Sequence, residues 1–349
     1  MKEKILFLAP YPLDQAPSQR FRFELFLDSF PYEWDFQSFY DVRTWNILYV
    51  QGYTFLKVLG IFKGYVRRIK AVFCQSRYKW IYVHRELTPF GPPIFEYMLK
   101  SKKLIYDFDD AIWMDDGHDM NWLWKWIKHR QKIEKICSHS SKVIVGNSFL
   151  AAYAKEFSQE VEIIPTLINS DKHKPRGISK KSQLVVGWTG SHTTLIYLED
   201  LQPVLKRLQM EFDFNFLVIA NVQPELDLKN WSFEKWSKDD EVDQLNGIDI
   251  GIMPLKNQPW ELGKCGFKLI QYGAVGLPSV ASPVGVNSEV LIAGETGLMA
   301  ESEVEWYDAL KSLLLSESMR EQMGNKARAR ILREYSKSRW ENHFQQLFD

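Results

Sequence analysis

At 349 residues the chain is too long for one ordinary core, so two domains are the natural division. A hydrophobic share of 45% with 25% charged residues belongs to a soluble globular protein, and zero net charge argues against a dedicated nucleic-acid binder. The charge is uneven, with roughly 25 Lys/Arg against 20 Asp/Glu in residues 1–175, so the first half is basic and the second acidic.

Cys74, Cys137 and Cys265 are far apart and form no CxxC pattern, which fits a reducing compartment and gives no zinc site. The opening "MKEKILFLAPYP" has too short an apolar run for a signal peptide. No stretch approaches the roughly 20 apolar residues of a membrane span. A cytoplasmic protein is expected.

In chain order, "KILFLAPYP" reads as an apolar strand ending in a Pro-rich loop, and "RFRFELFLDSF" as a helix. "KWIYVHRE", "KKLIYDFDD" and "SKVIVGNS" are short β-rich runs, separated by helical stretches such as "PPIFEYMLKS" and "WLWKWIKHRQKIEKICS". Buried strands alternating with helices predict a parallel α/β sheet. Pro165, Pro175 and the polar cluster at 171–182 read as a linker between an N-terminal domain, 1–170, and a second α/β half, 183–332. In that half "QLVVGWTGS", "FNFLVIANV" and "IDIGIMPL" are strands, "DDEVDQLNG" is a short acidic helix, and "FKLIQYGAVG" and "LPSVAS" form a helix–strand pair. A long helix follows to about Tyr335, and the amphipathic segment 333–349 closes the chain with Trp340, Phe344 and Leu347 at helical spacing.

Ligands of parallel α/β sheets bind where strand ends run into helix starts. Gly190, Ser191 and His192 occupy such a turn, whose backbone N–H groups suit a phosphate; Ser and Thr there also serve as plain helix caps. "GKCGFKLIQYG" repeats the geometry, with Lys264 before the turn, Gly266 and Phe267 at the helix start, Lys268 in its first turn and Gln271 one turn on. A lysine beside a helix N-terminus is electrostatically unfavourable for the helix alone, and a bound polyanion reverses that cost. Gln271 has the chemistry to hydrogen-bond a ribose hydroxyl. Two phosphate-competent helix starts in one domain suit a nucleoside diphosphate.

"GWTGS", "IDIGIMPL", "GKCGFKLIQYGAVGLPSVASPVGVN" and "GETGL", in this order, resemble the donor half of glycosyltransferase family 4, whose fold is GT-B. The likeness extends through "PSQRFR", "IYVHRE", "LIYDFDDAIW", "VIVGNS" and "EIIPTLIN", and so covers nearly the whole chain. It implies an α/β protein of two Rossmann-like, doubly wound domains facing a cleft, with the final helix packing back on the first. It also implies a retaining transfer from a nucleotide sugar to a glycan or lipid-linked acceptor in cell-surface polysaccharide or glycolipid assembly, with no metal and no cofactor. The diphosphate is assigned to the Gly190–Ser191 turn and Lys268. Gln271 stands where the family has the second glutamate of its E-x7-E motif, and Gly263 where it has the first, with Glu261 and Lys264 nearby.

Asp107, Asp109 and Asp110 crowd one predicted strand end, where carboxylates repel unless a proton, cation or hydrogen bond intervenes. A metal-binding DxD motif, a helix cap and a group that orients or deprotonates the acceptor hydroxyl are the alternatives. The second α/β half disfavours the DxD reading, and Asp109 and Asp110 are assigned to the acceptor hydroxyl as catalytic candidates. Arg20, Arg22, Arg85 and Glu86, also near strand ends, are acceptor-binding candidates. "FLKVLGIFKGYVRRIKAVF" and "NWLWKWIKHRQKIEK" mix basic and aromatic residues as interfacial helices do, so peripheral contact with a membrane is a further expectation. A GT-B epimerase and a non-catalytic transferase-like subunit are the rival readings.

Overall fold

Lys4–Ala9 (β1), Trp80–His84 (β3) and Leu104–Phe108 (β4) are buried almost end to end, as strands covered on both faces must be. The computed structural model describes residues 4–114, 131–176 and 183–349. Most of the Trp-rich stretch after Asn121 and the end of the expected linker lie outside the described residues. The chain divides into two units: Met1–Thr166 with Gly263–Cys265 and Glu341–Asp349, and Leu167–Leu262 with Gly266–Trp340.

The first unit holds a six-stranded parallel sheet in the order β2-β1-β3-β4-β5-β6, with β2 at Glu33–Ser38, β5 at Lys142–Val145 and β6 at Val161–Ile163. The order reverses between β1 and β3, so the loops leaving these strands and β4 border the switch point where such sheets bind ligands. Phe7, Phe23, Tyr82, Phe344 and Phe348 pack ring against ring in its core.

The second unit repeats the plan in the order β12-β11-β10-β7-β8-β9. Its strands are β7 Leu184–Gly190, β8 Phe214–Ala220, β9 Trp231–Lys235, β10 Ile250–Met253, β11 Ser279–Ala281 and β12 Gly297–Met299. The core gathers Trp188, Leu205, Leu208, Phe216, Val218 and Leu310.

Two helices differ from the sequence reading. The helix expected over "RFRFELFLDSF" is a four-residue helix, Pro17–Arg20, and a 3-10 turn, Glu24–Ser29. The long helix ending near Tyr335 is two helices, Glu303–Leu315 and Glu317–Glu334, because Ser316 takes extended backbone and caps the second by accepting a hydrogen bond from the Met319 N–H.

Candidate active site

In the first unit, β3 and β4 run parallel with His84 beside Asp107, so chemistry-bearing side chains of both strands collect at one sheet edge. Asp107 is fully buried and pairs with Arg22, whose guanidinium also donates to the Ile164 carbonyl. His84 Nδ1 lies 2.6 Å from the other carboxylate oxygen. Burial alone would raise the Asp107 carboxyl, but the Arg22 guanidinium and His84 hold it down at about 2. Arg22 is therefore an internal tie for β4; the acceptor contact expected of it is not what its side chain makes.

Arg85, the residue after β3, has left-handed backbone (φ 63°), which turns its side chain toward Asp109 with Nη1 3.8 Å from Oδ1. Burial raises the Asp109 carboxyl, Asp110 adds to that, and Arg85, His84 and Arg22 oppose it. Asp109 Oδ1 is buried and accepts no hydrogen bond. Lys264 and Asp110 approach to 3.6 Å, both partly exposed. Lys264, expected among the donor contacts, thus belongs to the first unit and to the aspartate cluster. Its segment is held there by Asn147, whose side-chain amide donates to the carbonyls of Gly263 and Lys264, and by the Cys265 thiol, which donates to the Asp109 carbonyl at 3.1 Å.

Glu86 pairs with Lys132, a buried lysine that also donates to the Thr88 carbonyl at 2.6 Å. Arg20 lies with its guanidinium 4.9 Å from the centre of the Phe21 ring. The structure thus gathers Arg85, Asp109, Asp110 and Lys264 and commits Arg22 and Glu86 to internal ion pairs. Among the described residues no group of three or more His, Cys, Asp or Glu is placed to hold a metal ion.

In the second unit, β7 ends at Gly190 and leads into the turn His192–Thr194. The Ser191 N–H donates to Thr194 Oγ1 at 3.1 Å, and the His192 N–H to Asn221 Oδ1 at 2.8 Å. The turn expected to offer bare amides is thus pinned by its own hydroxyls and by the residue after β8.

The helix Phe267–Ala274 begins at Gly266, whose φ of 65° suits glycine because a Cβ is strained there. Lys268, in the first turn, carries its Nζ 5.4 Å from the centre of the Trp188 ring. This links the helix start to the strand that feeds the Ser191 turn. Gln271 is buried, and its side-chain amide donates to the Glu241 carboxylate at 3.1 Å. Glu261 is buried as well, accepts from the Tyr197 hydroxyl at 2.7 Å, and its second oxygen has no hydrogen-bond partner. Trp188, Glu241 and Tyr197 went unassigned in the sequence reading, because each sits in an ordinary apolar or acidic run.

Residues 184–316 match the family model described as glycosyl transferases group 1. No curated protein sequence matches. Among solved structures, sucrose-phosphate synthase from Thermosynechococcus elongatus is 13% identical, with 99% of this chain and 98% of that one covered and a TM-score of 0.72. A glycosyltransferase from Rickettsia africae is 12% identical at the same coverage and TM-score. HepE of Anabaena, solved with UDP-glucose, is 14% identical over 99% and 98%, with a TM-score of 0.65. At these identities the likeness shows the fold, two Rossmann-like α/β sheets of GT-B type. The group 1 match is confined to residues 184–316, and together with the fold it supports a glycosyltransferase enzyme.

Proposed function

We propose that the protein transfers a sugar, with retention of configuration, from a nucleoside-diphosphate donor to a glycan or lipid-linked acceptor in cell-surface polysaccharide or glycolipid assembly. The observation that carries the donor half is Lys268 over Trp188, which joins the Phe267–Ala274 helix start to the strand entering the Ser191 turn. A helix N-terminus and a cation on one edge stabilise charge that grows on a departing diphosphate. HepE was solved with UDP and with UDP-glucose, so uridine diphosphate sugars are the first donors to test. Asp109 and Asp110 are the candidates to orient the acceptor hydroxyl or take its proton. A peripheral location on the cytoplasmic face of a membrane fits a lipid-linked acceptor.

A non-catalytic subunit is the second reading, favoured by Gly263 and by the burial of Gln271 against Glu241. Incubation with UDP-, GDP- and ADP-sugars distinguishes the readings. Slow release of free nucleotide supports a transferase and binding without turnover a silent subunit, while an isomerised sugar means an epimerase.

A further inference from the structure

The helix Thr54–Cys74 turns its apolar stripe outward. Phe55, Val58, Phe62, Val66, Ile69 and Phe73 recur at steps of three and four, so they share one face. That face is exposed: Phe55 is 78%, Phe62 65% and Phe73 77% accessible. The buried face consists of Gly60, Gly64, Arg68, Ala71 and Val72. The two glycines permit close contact, since a Cβ at Gly60 would meet Thr44 Oγ1 at 2.2 Å and one at Gly64 would meet the Phe39 ring at 2.7 Å. Arg68 locks the helix by donating to the carbonyls of Leu87 and Ala9, each at 2.7 Å. The outward stripe is thus fixed by how the helix is held.

A stripe of large apolar side chains along about 30 Å of exposed helix costs solubility unless something covers it. Its electrostatics select the cover. The helix has no Asp/Glu; of its five Lys/Arg, Arg68 is buried and Arg67 pairs with Asp41, while Lys63 and Lys70 flank the stripe at exposed positions. Tyr49 and Tyr53, just before it, are exposed too, and such rings favour a membrane–water boundary. A second copy laid on this face would set lysine-rich flanks against each other. No helix among the described residues is long and apolar enough to cross a membrane.

We infer that this helix lies flat in the interface of an anionic lipid bilayer, with the Phe55–Phe73 stripe among the acyl chains and Lys63 and Lys70 at the headgroups. This specifies the surface and lipid charge behind the peripheral location proposed above, and it stands or falls independently of the transferase reading.

The test is co-sedimentation of the full chain with phosphatidylcholine vesicles, with and without a substantial fraction of phosphatidylglycerol. Two variants accompany it, Phe55→Ser/Phe62→Ser/Phe73→Ser and Lys63→Glu/Lys70→Glu, each checked for an unchanged melting temperature. Binding to anionic vesicles only, weakened by salt and lowered roughly tenfold or more in either variant, is the expected result. Absence of binding, or binding that both variants retain, overturns the inference. Self-association of the wild type that the serine variant abolishes, without vesicle binding, also overturns it and identifies a contact between copies. Release of nucleotide from UDP-sugars stays unchanged in both variants, so a failure here is separable from a failure of the enzymatic assignment.

Discussion

Arg22 and Asp107 form an ion pair with side chains only 1% and 0% exposed, and His84 Nδ1 lies 2.6 Å from Oδ2 of the same carboxylate, which Arg22 Nε also approaches at 3.5 Å. The group's folded pKa of about 2 is below its unfolded value of 3.8, so its stabilisation is present above pH 4 and is lost as pH falls through 2. The shift corresponds to about 2 kcal/mol. Urea unfolding followed from pH 5 to pH 2 should show that loss. Asp107→Asn should flatten the acid limb and cost about 3–5 kcal/mol at neutral pH, because Arg22 keeps a buried charge without its partner. A variant with wild-type stability at pH 7 would contradict this account.

Asp109 is shifted the other way. Burial raises its pKa, so the proton is held more tightly in the folded chain, and the stability it contributes at low pH is lost as pH rises through the folded value. At pH 7 its ionised form is a strain on the fold, and Asp109→Asn should keep or raise the melting temperature. If Asp109 accepts the acceptor proton, the same change lowers transfer about a hundredfold or more and spares donor binding. Asp110→Asn tests the neighbouring carboxylate likewise. Full transfer activity in both variants would remove the aspartates from the reaction.

Lys268 is tied to Trp188 and stands in the first helical turn, where a cation is unfavourable for the helix alone. Lys268→Ala should therefore leave the melting temperature near that of the wild type while weakening UDP binding roughly tenfold or more by calorimetry, as expected for loss of one charge-assisted contact. Unchanged affinity would move the diphosphate elsewhere.

The central strands were legible because they are mostly apolar, with a single charged or amide side chain each: "KILFLA", "LIYDF" and "FNFLVIA" are β1, β4 and β8. The edge strands β2 and β9 were not, since "EWDFQS" and "WSFEK" are only partly buried and carry charge like any loop. Asp109 and Asp110 were legible from their crowding at a strand end. The burial of Gln271 was not, because its hydrogen bond to Glu241 joins helices 30 residues apart in sequence. Nor was the partner of Arg22, a turn residue, since Asp107 lies 85 residues away on β4.

That Gln271–Glu241 contact makes a charge-exchange prediction. Gln271→Glu restores the residue the resembling family carries, but here it sets a second carboxylate about where Nε2 now donates to Glu241, and both sites are buried. Two carboxylates this close repel, and a proton taken up by the pair relieves that repulsion. Gln271→Glu should lower stability by about 1–3 kcal/mol at pH 8, with most of the loss recovered near pH 5 as the pair takes up a proton. Glu241→Gln with Gln271→Glu keeps one carboxylate and one amide in exchanged positions and should recover most of it at pH 8. Urea unfolding of the wild type, both single variants and the double variant gives the coupling directly, and additive losses would mean that the contact contributes nothing of its own.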